Sequence, residues 1–372
     1  MKTAKKAGII CWSLVAILLI VVVVVGIIIG PQKIFNDISL WSEGMVLNID
    51  NAKEVSTYSV PVKDFDNIDI NWESGYIKLY VYDGDEIQIT ERSIKKLDDD
   101  EKMTYKVKNN TLKIEGKSRF EIGFLCFRTT QKILEVKIPQ NKLSEINKIY
   151  TDTASSDVFI NDLDLKELAV STTSGIISIE NIKSENINID TTSGDITLSS
   201  STVDKNCSVN STSGYVDLKN CSMSNADVNT TSGDITLTSA DIKESCITDS
   251  ISGNVILIDC VSANINADTT SGDVKANGEF STAKCNTVSG DISISSKTVL
   301  TDFSCSTTSG DTILKIPVDT KKGFTANVST VSGEFICNLP LTSNGDIKVY
   351  GNGEYSYRFD STSGDVSISS VE

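Results

Sequence analysis

The octapeptide TTSGDITL occupies residues 191–198 and recurs letter for letter at residues 230–237. Self-similarity at a fixed period marks a stacked architecture, because a short repeat cannot bury its apolar face except against its neighbours. The Ser-Gly pairs set the period. Their glycines are Gly175, Gly194, Gly214, Gly233, Gly253, Gly272, Gly290, Gly310, Gly333 and Gly364, and up to Gly310 they stand 18 to 20 residues apart. An earlier pair ends at Gly75, and a degenerate turn, TASSDV, puts Ser156 nineteen residues before Gly175. The count comes to about a dozen units.

Positions seven and five before the glycine are nearly all apolar, as in Ile187/Ile189, Cys207/Val209 and Ala226/Val228. Positions two and four after it behave alike, as in Ile196/Leu198, Val216/Leu218 and Ile235/Leu237. Apolar residues two apart, with Ser, Thr, Asn and Asp between them, have the period of a half-buried strand. Each unit therefore reads as strand, Ser-Gly turn, strand and polar corner. Stacked in register, such units predict an all-β fold, a β-solenoid. With strands ~4.8 Å apart the rod is on the order of 55 Å long. The turn glycines are expected to supply positive φ, and the flanking Ser and Asp to hydrogen-bond local backbone. A two-coil superperiod is superimposed, since residues 204–221 resemble residues 242–260 at a 39-residue offset.

The amino terminus constrains location. Lys2, Lys5 and Lys6 precede an uncharged run from Ala7 to Gly30. That run is long enough to span a bilayer, longer than the apolar core of a cleavable signal, and followed by no small-x-small cleavage site. Cys11 stands at the start of the run and not after it, which excludes a lipobox. The lysines place the short end inside. The expected organisation is a cytoplasmic tail at 1–6, one transmembrane helix at 7–30 and a linker at 31–44. An N-terminal β cap with the first coils follows at 45–150, and the β-solenoid repeats fill 151–372. The protein would then be a single-pass bacterial membrane protein with its C-terminal domain outside the cytoplasm.

Within 45–150 the period breaks. Residues 55–81 read as one coil, with Ile68, Ile70 and Trp72 inward before the turn and Ile77 and Leu79 after it. EIQITER and KILEVKIP read as strands, and MTYKVKNNTLKIEG as a hairpin turning at Asn109-Asn110. At the other end, bulky Tyr357 and Phe359 suit a closing coil.

Composition removes several chemistries. There is no histidine, which excludes the usual general base, the Ser-His and Cys-His nucleophile pairs, and His-containing zinc sites. The nine cysteines contain no C-x-x-C pair and mostly replace Ile, Ala, Val or Leu, so they read as small buried hydrophobes. Cys285 and Cys305 share a rung of adjacent coils, where a disulfide is conceivable by distance. The net charge of −16 repels nucleic acid and anionic lipid and suits cations or cationic peptides, or serves only to keep a rod soluble.

The residue after the turn glycine is acidic at Asp195, Asp234, Asp273, Asp291 and Asp311. A stack of carboxylates reads first as a row of turn caps. A calcium ladder is the alternative, although the G-G-x-G-x-D calcium repeat is absent. No other cofactor is expected. Thr172, Thr191, Ser211, Thr230, Ser250 and Thr269 form a polar row, expected to be exposed, which is either solvated or adhesive. Extracellular β-helices include polysaccharide lyases and glycosidases, so a carbohydrate-active enzyme is the alternative function. Such an enzyme needs two carboxylates at a set separation, and this chain has too many for that signal to discriminate. Moreover, no Trp follows Trp72 and no Arg lies between Arg128 and Arg358.

The recurring T-T-S-G-D-I-x-[IL], the early block with NNTLKIEG and ILEVKIP, and the closing TSGDVSIS resemble the bacterial "putative adhesin" family. This is a β-strand-repeat group of unknown function that includes LiaG-like and LiaX-like cell-envelope proteins. The resemblance covers about residues 45–372, and the anchored arrangement looks like the LiaG type. It implies a non-catalytic adhesin or envelope-stress interaction module, with an envelope protein, a glycan or a cationic peptide as partner. The turn substitutions at Ser156, Tyr215 and Asn254 and the cysteines depart from the family pattern.

Overall fold

A computed structural model describes residues 51–117, 121–123, 126–128, 132–319 and 321–371. Lys53–Glu372 forms one compact unit. The transmembrane segment and linker expected at 7–44 lie outside the described residues, and no helix among the described residues is long and apolar enough to cross a membrane.

Each coil contributes one strand to each of two lines of parallel pairing. Lys183–Ser193 pairs with Asp164–Ser174 on one side and Thr202–Ser211 on the other, with Ile187 opposite Leu168 and Cys207. After the turn, Ile196–Ser199 pairs with Ile177–Glu180 and Val216–Lys219. Partners thus stand one repeat apart in sequence, and like residues fall on like residues. The long strand bends where its register shifts, so Ser184 and Ile187 both point inward although they are three residues apart. The inward rows close into one continuous core, in which Leu168, Ile187, Cys207, Ala226 and Cys246 are at most 1% exposed.

The second corner carries the left-handed backbone. Asp162, Asn181, Ser200, Asn220, Ser239 and Asp259 all have φ between 50° and 62°. Asn and Asp tolerate this region better than other side chains because their short polar groups can bond local backbone.

The turn glycines are needed mainly for a different reason from the one expected. Among them only Gly75, Gly175, Gly310 and Gly364 have positive φ. At Gly194, Gly214, Gly233, Gly253 and Gly272, however, a Cβ would collide with the carbonyl oxygen of the glycine one coil earlier. The backbones approach so closely at this edge that no side chain fits.

The N-terminal cap is built around the first coil. Asn67–Tyr82 stacks directly on Lys148–Asn161, and the intervening chain extends the sheets beyond it. Lys132–Pro139, Glu86–Ser93 and Lys53–Pro61 continue one sheet, while Thr111–Glu115 and Thr104–Lys108 continue the other as a hairpin. Asn109 and Asn110, with φ of 52° and 59°, form its turn. A buried ion pair ties the cap to the first turn: Lys132 Nζ stands 2.8 Å from Glu91 Oε1 and over the Trp72 ring, and the Lys132 backbone lies against Gly75. Glu91 Oε2 accepts from the Met103 amide at 2.9 Å.

The C-terminal end departs from chain order. Tyr355–Ser363 pairs with Asp302–Ser309 on one edge and with Phe324–Thr330 on the other. Val366–Ser370 likewise lies between Thr312–Ile316 and Phe335–Cys337. The coil expected to close the rod is therefore the penultimate one, and the coil that precedes it in sequence sits outside it. Ile347–Tyr350 then runs antiparallel along Phe324–Thr330, and Thr342–Asn344 runs antiparallel along Ile347–Tyr350. Between Thr312–Ile316 and Phe324–Thr330 the chain thus passes one layer, which the last strands fill.

Candidate functional surface

Two exposed features repeat along the stack: the ridge of Ser-Gly turns and the broad outer face of the long strands. On the ridge, the carboxylate after each glycine holds the next coil. The Tyr215 amide donates to Asp195 Oδ1 at 2.9 Å and the Asn254 amide to Asp234 Oδ1 at 2.7 Å. The Asp311 amide donates to Asp291 Oδ1 at 2.9 Å, and the Asp365 amide to Asp311 Oδ1 at 2.8 Å. Asn254 serves equally, since its Oδ1 accepts from the Asp273 amide, and Asp273 accepts in turn from the Asp291 amide. These are charge-assisted caps between coils. The Lys275 ammonium beside Asp273, together with the Asp291 amide, also holds the Asp273 carboxyl below its ordinary range.

One oxygen of each predicted calcium ligand is thus committed to the neighbouring coil. Among the described residues no group of three or more His, Cys, Asp or Glu is placed to hold a metal ion. Asp195, Asp234, Asp273, Asp291 and Asp311 share one ridge, but they are spread along it rather than gathered around a point.

The expected polar row at Thr172, Thr191, Ser211, Thr230, Ser250 and Thr269 is not exposed: these residues are 4% to 8% accessible. The parity of the strand explains it. Thr191 follows Ile187 and Ile189 by two and so points inward with them. Beneath the turns, several of these hydroxyls bond backbone; Ser250 Oγ donates to Gly233 O and Thr269 Oγ1 to Gly253 O. They form the polar roof of the core and offer no adhesive surface.

The broad face is formed instead by the residues between the inward ones, at positions eight and four before the glycine, where Asn recurs in the sequence. Asn206 donates to Asn186 and Asn225 to Asn206, each at 3.3 Å. In the parallel column Asn210 donates to Asp190 at 2.9 Å and Asn229 to Asn210 at 3.1 Å. Stacked amides of this kind stabilise in-register sheets. The ladder is interrupted at Asp249, which lies in register between Asn229 and Asp268. Burial, and then the neighbouring Asp268 and Asp227 charges, push its carboxyl above the ordinary range.

Asp249→Asn is expected to raise stability by about 1 kcal/mol at neutral pH, by removing a like-charge contact and restoring an amide rung. A raised folded-state pKa means that the native state holds its proton more tightly than the unfolded chain. The wild type therefore loses stability relative to the variant as pH rises from about 4. Denaturant melts of both proteins at acid and neutral pH would check the sign, and equal stability at neutral pH would refute the argument.

Six cysteines lie in the core. Cys207, Cys221, Cys246, Cys260, Cys285 and Cys305 are free and buried, and Cys337 is half-buried. Cys285 and Cys305 are register partners without a disulfide. Burial pushes the Cys207 and Cys305 thiols up to about 12, so they carry little thiolate. The larger openings are shallow. One of about 460 Å³ lies beside Gln140–Glu145 and is lined by Asp164, Lys166, Lys183 and Glu185.

No curated protein matches this chain. Among solved structures, a "putative adhesin" from Parabacteroides distasonis is 14% identical, with 71% of this chain and 94% of that one covered and a TM-score of 0.39. Another from Parabacteroides merdae is 14% identical over 85% and 96%, with a TM-score of 0.35. A "putative cell adhesion protein" from Clostridium sporogenes is 11% identical over 86% and 100%, with a TM-score of 0.24. At these scores the likeness carries no argument. The family comparison is decisive, because it matches at residues 65–281 and again at 262–369, two segments that overlap by about one coil. From the first Ser-Gly coil to the last, the chain belongs to the Toastrack DUF4097 family.

Proposed function

We propose that this protein is a membrane-anchored, extracytoplasmic β-solenoid that acts as a non-catalytic adhesin or envelope-stress interaction module. The observation that supports it most is the broad face, where columns of Asn, Asp, Ser and Thr repeat in register from coil to coil. A flat, periodic polar surface offers many equivalent hydrogen-bonding rungs to an extended partner, such as a glycan strand or a peptide. The uncharged run Ala7–Gly30 behind three lysines supplies the anchor in this reading. The ridge carboxylates each accept from a backbone amide of the next coil, whereas a glycosidase keeps its pair free to flank the scissile bond.

The test is thermal melting of the Lys53–Glu372 unit with cell-wall glycans, cationic peptides and calcium. A ligand that binds only the native state stabilises it by about 2.7 kcal/mol at a hundredfold excess over Kd. A glycan or peptide is expected to raise Tm, with no polymer turnover. Calcium and chelator are expected to leave Tm unchanged, because the ridge carboxylates already cap backbone amides. Release of product from any cell-wall polymer would overturn the non-catalytic reading. A calcium-dependent rise in Tm would assign the ridge to the metal.

A further inference from the structure

The two sheets end differently at the C-terminal end of the stack. Phe324–Thr330 is paired on both edges, by Tyr355–Ser363 and by Ile347–Tyr350. Phe335–Cys337 is not: among the described residues it pairs only with Val366–Ser370. The inward residues of this strand are correspondingly less covered: Phe335 and Cys337 are only partly buried, whereas the equivalent Val366 and Ile368 are at most 1% accessible. Ile336, between them, faces outward and is 54% accessible.

We propose that this edge docks a second copy of the chain, with Phe335–Cys337 pairing antiparallel to the same strand of the partner about a two-fold axis through Ile336. An open strand edge presents unpaired amides and carbonyls that are satisfied by another strand. The other end of the rod carries the devices that discourage such pairing. Its edge strands are Lys53–Pro61, bounded by a lysine and a proline, and Thr104–Lys108, with Lys106 and Lys108. Phe335–Cys337 contains neither lysine nor proline.

Charge favours the same contact. Residues 151–372 contain 13 basic and 30 acidic side chains, so the flanks of two copies repel. Residues 315–358 are balanced, with five basic and four acidic. Antiparallel pairing about Ile336 puts Glu334 opposite the partner's Asn338, carboxylate against amide, and Phe335 opposite the partner's Cys337. A two-fold contact closes on itself and yields a dimer rather than a filament. Its small area makes the dimer weak and dependent on concentration.

The Lys53–Glu372 unit holds the whole core cluster and serves as the test protein. Sedimentation equilibrium is expected to show the mass rising twofold with concentration and no further. Ile336→Lys is expected to hold the mass at one copy over the same range with an unchanged Tm, since Ile336 is largely outside the core. Lys106→Ala, at the opposite end, is expected to dimerise like the wild type. A wild type that stays at one copy, a mass that climbs past two copies, or an Ile336→Lys protein that still doubles would each overturn the proposal.

Discussion

Replacing Gly233 with alanine is expected to destabilise the stack by about 3 kcal/mol or more, at the upper end of what one added methyl group does in a packed interior. The new Cβ would meet the Gly214 carbonyl, which is backbone, so neither partner can rotate away. Relief requires two coils to part, and the same edge carries the amide-to-carboxylate bonds between coils. Parting them at Gly233 strains the backbone bonds between those two coils, from the Ser232 amide to Thr212 O at 2.9 Å and from the Val216 amide to Asp234 O at 3.0 Å. Gly233→Asn separates this account from the conformational one. If the glycine served a left-handed backbone, asparagine would restore most of the loss. Gly233 does not have positive φ, so asparagine is expected to be at least as harmful as alanine. The exposed neighbour Ser232→Ala should stay within about 0.5 kcal/mol of wild type. Chemical denaturation of the four proteins decides the matter, and a stable Gly233→Ala would refute the steric argument.

That glycine illustrates how the sequence was legible in pattern and misleading in cause. The period of 18 to 20 residues and the alternation around it locate the strands, the turns and the inward rows, because apolar spacing reports directly on burial. The same rule, carried one step further, puts Thr191 and its equivalents inside. Their hydroxyls suggested a surface, and polarity was allowed to outweigh parity. The broad face went unread for the opposite reason: Asn186, Asn206 and Asn225 are unremarkable one by one, and become a surface only when the register stacks them. The ridge carboxylates do bond backbone, but the amides that donate to them lie one coil away, a distance in sequence that local turn chemistry does not suggest.

The order of the coils was the least legible feature. TSGD precedes the second strand of the coil at 302–316 and of the coil at 355–370 alike, so the repeat itself does not specify which coil sits on which. Only the spacing hinted at it, since the glycine-to-glycine gap widens beyond Gly310. The extra residues are those that bypass one layer and form the antiparallel cap. Repeats gain stability from nearest-neighbour interfaces, and any equivalent neighbour suffices. The ring contacts then favour the observed order: Phe303 packs 5.2 Å from Phe359, and Phe324 stacks 4.6 Å from Tyr357.

Deleting residues 355–372 is therefore expected to remove more than the final coil. Tyr357, Phe359, Val366 and Ile368 are at most 1% exposed, and their loss forfeits on the order of 6–12 kcal/mol of burial. The coil at 324–337 loses its parallel partners in both sheets at once, because it meets the rest of the stack through Tyr355–Ser363 and Val366–Ser370. Its amides are expected to exchange with solvent as fast as those of an unfolded chain. Those of the middle coils, such as Lys183–Ser193, stay protected, since stacked repeats lose stability locally. In a stack built in chain order the same deletion would strip one layer and leave 324–337 ordered. Hydrogen exchange on the truncated protein distinguishes the two. Persistent protection at 324–330 would mean that this strand can seat itself directly on Asp302–Ser309, so that the last coil would be an addition to the rod and not the piece that joins its cap to its body.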